Sequence, residues 1–127
     1  TLGEALLAPH KSYLECTWPL LEEGLVAGMA HITGGGLPGN VNRMLSDTNA
    51  VIDRTSWQIP GLFQLLVNGG NIDREESFEA FNMGVGLVVA VDADKEARAM
   101  ELLREAGEEP WHIGHLEAGD GQVLFND

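Results

Sequence analysis

His31-Ile32-Thr33-Gly34-Gly35-Gly36-Leu37-Pro38-Gly39-Asn40-Val41-Asn42-Arg43-Met44-Leu45 is the stretch around which the chain is organised. An apolar run from Leu25 to Ile32 leads into it. Three successive glycines then break the chain's direction, and Pro38 suits the first turn of a new helix, where its missing N–H costs nothing. Such a junction aims unpaired backbone N–H groups into one concavity, and the helix dipole adds partial positive charge there. Glycine removes the side chains that would hold a ligand off, so a phosphate or carboxylate is the expected guest. No basic residue lies between Thr33 and Asn42, so recognition leans on backbone amides, Thr33 and Asn40, with Arg43 reaching back from one turn along the helix. A glycine-rich turn with no ligand accounts for the same residues. Gly34-x-Gly36-x-x-Gly39 also fits the dinucleotide fingerprint, with Asp53 closing the next apolar run. Pro38 inside that spacing and the short chain count against it, and the phosphate loop ending in Gly-Lys-Ser/Thr is absent.

The 127 residues suffice for one domain with a real core, and the hydrophobic content of 44% is ordinary. Twenty acids against 7 bases give a net charge of −13, which argues against a nucleic-acid surface or an anionic-membrane anchor. It also means that a nest of amides must act against the overall field at short range. Cys16 stands alone, so no internal disulfide is expected and a reducing, cytoplasmic setting fits. No signal peptide and no run of about twenty apolar residues is present. The start at Thr1-Leu2-Gly3-Glu4 reads as the middle of a longer protein.

Taken in order, residues 5–9 read as an extended lead-in ending at Pro9. Residues 11–23 read as a helix that Pro19 bends and Gly24 stops. A buried strand over 25–32 precedes the glycine loop, and a helix over about 38–45 follows it. A short strand spans Asn49 to Asp53. Pro60 starts a helix with the apolar stripe Leu62, Phe63, Leu66 and Val67, and Gly69-Gly70 end it. Asp73 caps another helix through about Phe81. Gly84 to Val91, the most apolar run, reads as a central strand covered on both faces. Asp92 or Asp94 caps the next helix, whose buried stripe is Ala99, Leu102, Leu103 and Ala106. Trp111–Leu116 and Gln122–Phe125 are the last strands. Helices falling between strands predict a mixed sheet covered by helices.

The other candidate chemistry is sparse. His112 and His115 have the look of a metal pair, but strand residues three apart point to opposite faces. Glu75, Glu76 and Glu79 read as a solvated helix face, so no metal site is expected. His31 stands beside the loop, where it either flanks a bound anion or is structural, and His10 has no recognisable partner. In Asn82-Met83-Gly84-Val85-Gly86, the two glycines permit close approach of a ligand or of a packed helix. Asn82 offers both a donor and an acceptor there. No nucleophile–base pair emerges, so no catalytic residue is assigned.

Several pieces together resemble the C-terminal domain of the phosphoribosylformylglycinamidine cyclo-ligase (aminoimidazole ribonucleotide synthetase) family. They are Leu6-Leu7-Ala8-Pro9 with Tyr13, His31 to Leu37 with Asn40 and Arg43, and Ala50-Val51-Ile52-Asp53 with Ser56-Trp57. Phe81-Asn82-Met83-Gly84-Val85-Gly86 and Trp111-His112-Ile113-Gly114 complete the set, so the resemblance runs through nearly the whole chain. His10-Lys11-Ser12 departs from the Thr-Arg type of sequence expected after Pro9. The resemblance implies an α+β, three-layer helix/mixed-sheet/helix domain, partly ferredoxin-like, spanning 1–127 behind a separate N-terminal ATP-binding domain. It implies a homodimeric enzyme that uses ATP and Mg2+ to convert formylglycinamidine ribonucleotide into aminoimidazole ribonucleotide, ADP and phosphate. ATP would activate the formyl oxygen, and an amidine nitrogen would then attack. Thr33, Gly34, Gly35, Gly36, Leu37, Asn40 and Arg43 would hold the ribonucleotide phosphate, with His31, Asn82 and Gly84 lining the cleft. The isolated domain would be inactive and would hold no tight cofactor. Formylglycinamidine ribonucleotide synthase, selenophosphate synthetase, thiamine monophosphate kinase and a hydrogenase maturation protein stand as related alternatives. A non-catalytic anion- or dinucleotide-binding module is a further one.

Overall fold

Phe78, Ile32, Leu37 and Val41 are almost wholly buried, and the fold is built by the elements that bring them together. The structure, a computed structural model, describes residues 1–127. Helices α1 (Leu2–Leu6) and α2 (Leu14–Glu22) precede strand β1 (Val26–His31). Helix α3 (Gly36–Val41) runs into a 3-10 turn at Asn42–Met44, and β2 (Thr48–Asp53) follows. Then come α4 (Gly61–Gly70), α5 (Arg74–Ala80), β3 (Leu87–Val91), α6 (Glu96–Glu105), β4 (Gly114–Ala118) and β5 (Val123–Asn126). The class is α+β, as the resemblance implied. No helix is long and apolar enough to cross a membrane.

The strands form two small sheets rather than the single mixed sheet expected. β1 pairs antiparallel with β3, setting Met29 opposite Val89 and Ala30 opposite Val88. The other sheet has the order β4-β2-β5, with β2 antiparallel to β4 and parallel to β5. The last two strands thus flank β2 instead of pairing with each other. Asn49 on β2 organises the link between them: its Oδ1 accepts the backbone N–H groups of Asp120 (3.0 Å) and Gln122 (2.9 Å).

The main core gathers Ala30, Ile32, Leu37, Val41, Ala50, Ile52, Trp57, Phe78, Met83 and Val85. Each large side chain here contributes about 1.5–3 kcal/mol by leaving water. A smaller cluster, Leu20 and Leu25 with Ala99 and Leu102, joins α2 to α6. Gly24 turns the chain between them at φ +64°, with the Leu25 N–H closing onto the Leu20 carbonyl as a helix stop requires.

Three local readings are corrected. Residues 2–6 are helical, not extended, because Thr1 and Glu4 form a capping box. β3 is half-buried throughout and pairs only with β1, so it is not a central covered strand. Its apolar run instead serves two neighbours: the small cluster and an open cleft described below. Neither Asp92 nor Asp94 caps α6. Lys95 holds the cap position, with its N–H on the Asp92 carbonyl and its ammonium on the Asp92 carboxylate.

Arg54, only 6% exposed, ties the second sheet to α5. Its guanidinium lies over the rings of Phe78 and Phe125. It makes a two-pronged contact with Asp127 (2.6 and 2.9 Å) and a third bond to Glu75 (2.8 Å). The carboxyl of Asp127 is held below the ordinary carboxylate range, chiefly by the Arg54 hydrogen bond. Arg54→Ala is expected to lower stability by about 2–4 kcal/mol in urea unfolding, since packing and paired charge go together. A depressed folded pKa gives stability that is complete above the unfolded value near 4 and fades as pH falls below it. Asp127→Asn is therefore expected to flatten the fall of melting temperature below pH 4.

Candidate functional site

The glycine loop closes around one side chain. Asn40, 3% exposed, donates through Nδ2 to the carbonyls of Gly36 (2.7 Å), Thr33 (3.3 Å) and Gly34 (3.3 Å). The carbonyls are thereby turned inward. Gly35 and Gly36 take the left-handed backbone, at φ +96° and +57°. Gly36 is packed so tightly on α5 that a Cβ would lie 1.8 Å from the Phe78 carbonyl oxygen and 3.0 Å from that of Phe81. Two loop amides are used internally, Gly36 N–H on Thr33 and Gly39 N–H on Gly35. The N–H groups of Thr33, Gly34, Gly35 and Leu37 donate to no group of the protein.

The residues singled out by sequence thus separate by position. Thr33, Gly34 and Gly35 are exposed, whereas Gly36, Leu37 and Asn40 are buried. The Leu37 side chain belongs to the core, and the Asn40 carboxamide is spent on the loop itself. Arg43 is exposed and engages no carboxylate. His31 ends β1 in the open. Asn82 accepts the Gly84 N–H through Oδ1 (3.0 Å), and the space at Gly84 is filled by the Pro60 ring. The Trp57 indole N–H donates to the Met83 carbonyl (3.0 Å), so the Ser56-Trp57 and Phe81–Gly84 pieces lock one another. A dinucleotide fingerprint needs parallel strands on either side of its helix. Here β1 and β2 lie in different sheets, so that alternative is corrected.

Beside the loop lies a cluster that sequence reading leaves unassembled. His10 Nε2 stands 3.3 Å from His31 Nε2, and the Tyr13 ring meets both imidazoles edge-on. Tyr13 fits because Gly86 has no side chain; a Cβ there would lie 1.9 Å from the phenol oxygen. Burial raises the Tyr13 pKa. Lys11 is paired with Glu108, which raises the pKa of its ammonium. Cys16 is buried with its Sγ donating to the Tyr13 carbonyl, and burial pushes its thiol pKa up, so it is no nucleophile. A separation of 21 residues hides the histidine pair from any local motif. His112 Nδ1 instead donates to Glu96 (2.7 Å), away from His115. A cleft of about 650 Å3 runs between β3 and the 108–116 segment. Tyr13, Gly84, Gly86, Val88, Trp111 and Ile113 line it, and none of residues 31–40 does. No three His, Cys, Asp or Glu side chains converge.

The family profile described as "AIR synthase related protein, C-terminal domain" matches residues 1–126. Two curated relatives carry the name phosphoribosylformylglycinamidine cyclo-ligase. One, from Lactobacillus delbrueckii subsp. bulgaricus, is 45% identical over 127 aligned residues, covering 98% of this chain and 36% of the relative. Another, from Lachnospira eligens, is 47% identical over 98% of this chain and 37% of its own length. The chain therefore spans a little over a third of these relatives.

The loop's glycines do different work, and substitution separates them. Gly36→Ala is expected to cost about 3 kcal/mol or more, from the carbonyl clash and the left-handed backbone combined. Gly34 has open space where a Cβ would stand, with no atom within 4 Å, and should accept alanine within about 0.5 kcal/mol. Thermal melts of the two variants check this.

Proposed function

The chain belongs to the AIR synthase related family as its C-terminal domain, and from that premise we propose that it serves an ATP-dependent cyclo-ligase of purine biosynthesis. In that reading the whole protein closes the imidazole ring of formylglycinamidine ribonucleotide in the cytoplasm, working as a homodimer. This domain holds the substrate's phosphate. The observation that carries the reading is the set of free N–H groups on the exposed residues Thr33, Gly34 and Gly35. They sit on a loop in which Asn40 occupies the carbonyls of Thr33, Gly34 and Gly36. Arg43, exposed and in no ion pair, supplies positive charge in this proposal.

The residues here do not fit a magnesium site. Mg2+ seeks clustered oxygen ligands. Glu75, the member of the acidic helix nearest other charge, is engaged by Arg54. ATP and Mg2+ accordingly belong, in this proposal, to the rest of the longer protein. The outward face of α2 supports such a companion. Leu14, Trp18 and Leu21 recur at helical spacing and are 65%, 54% and 45% exposed.

Titration with inorganic phosphate, followed by amide chemical shifts, tests the loop. Thr33, Gly34 and Gly35 N–H signals are expected to move together and saturate, and Arg43→Ala to weaken the binding several-fold. Unmoved loop signals would overturn the assignment. Residues 1–127 given ATP, Mg2+ and substrate are expected to form no ring product, so turnover by this chain alone would refute the division of labour. Trp18→Lys is expected to leave the melting of this chain within about 2 °C and to destabilise the longer protein.

A further inference from the structure

We propose that His10 and His31 form a two-histidine site for a divalent transition-metal ion of the Zn2+, Ni2+ or Cu2+ class, with open coordination positions facing solvent. Their Nε2 atoms are 3.3 Å apart, on rings set 77° to one another. Two zinc–imidazole bonds of ordinary length, meeting at the tetrahedral angle, separate the two nitrogens by about 3.3 Å. The spacing therefore matches, and rotation of the two exposed rings out of their hydrogen bond turns both lone pairs onto one ion.

The proton inventory agrees. His10 Nδ1 lies 2.9 Å from the Lys11 carbonyl, which can only accept. The His10 ring proton is thus on Nδ1, and in the neutral ring the lone pair on Nε2 faces His31. A ring nitrogen fixed by a backbone carbonyl is the arrangement that orients a ligating histidine. His31 Nδ1 has no partner, so that ring is free to carry its own proton there and present Nε2 to the same ion. Without metal the contact is a hydrogen bond between the two rings.

Both imidazoles are exposed, so an ion reaches them without opening the fold. Imidazole donors select zinc, nickel and copper over magnesium and calcium, which prefer oxygen. The remaining positions are left to water or to an anion at the neighbouring Thr33–Gly35 amides. The nearest ammonium, that of Lys11, is paired with Glu108, so its charge is offset.

Chelator-treated protein titrated with Zn2+ by calorimetry, and with Co2+ by visible absorption, tests the site. Wild type is expected to bind one ion specifically, with Co2+ bands of a nitrogen-ligated centre and no displacement by Mg2+. His10→Thr and His31→Gln should each weaken binding at least tenfold. His112→Ala and His115→Ala should leave it unchanged. Melting temperatures confirm that all variants are folded, as expected for exposed positions. Weakening of less than tenfold in either of the first two variants, or loss of the ion with His112→Ala, would overturn the proposal.

Discussion

The carboxamide of Asn40 holds the glycine loop in one shape, and the packing of the first half of the chain depends on it. Three carbonyls, from Thr33, Gly34 and Gly36, converge on its Nδ2. A buried amide left without acceptors, or carbonyls left without this donor, would cost about 1–3 kcal/mol per group. With the bonds made, α3 starts abruptly, Leu37 drops into the core and Gly36 comes to rest under the Phe78 carbonyl. The loop thereby becomes the joint between β1 and α5. Its exposed amides are a by-product of this closure: once the carbonyls point in, the N–H groups point out.

That geometry answers the conflict between anion binding and a net charge of −13. Exposed charges beyond a Debye length of about 8 Å are largely screened. N–H groups in direct contact with an anion contribute charge-assisted hydrogen bonds of about 1.5–3 kcal/mol each. None of residues 24–46 is acidic, although α5, which packs on the loop at Gly36, carries Glu75, Glu76 and Glu79. The twenty acids are spread along the rest of the chain, from Glu4 to Asp127. In the proposed site, direct contact outweighs a field that is largely screened.

Much of this is legible in the sequence because it rests on local rules. The glycine triplet, Pro60 before α4, Asp73 as the cap of α5 and Gly24 as a stop each follow from backbone chemistry a few residues long. The capping box at Thr1 and Glu4 is equally local, although an extended lead-in fits the apolar residues that follow it. What stays hidden depends on partners far apart in the chain. The run 84–91 has the composition of a fully buried strand, but apolar composition does not report whether the second face meets a neighbour or a cleft. Asn40 reads as a ligand residue, because a side chain's inward turn is invisible until the loop closes around it. Arg54 gives no signal at all; its partners Glu75 and Asp127 are 21 and 73 residues away.

The helix α2 carries a further argument about how this domain is used. One side of it, with Cys16, Thr17 and Leu20, is buried against the body of the fold. The opposite side repeats large apolar groups at Leu14, Trp18 and Leu21 in water. A surface helix needs a single apolar stripe. A second stripe costs solubility unless something covers it, and scattered exposure would not repeat at four- and three-residue intervals. Leu2, Leu6 and Leu7, in and just after the preceding helix, are exposed as well. Helices apolar on two sides are built to lie between two bodies, and here one of those bodies is the core formed by α6 and the β1–β3 sheet. In the proposed whole protein the other is the companion domain, which would meet a strip of leucine and tryptophan, the chemistry of a permanent interface rather than of a passing encounter.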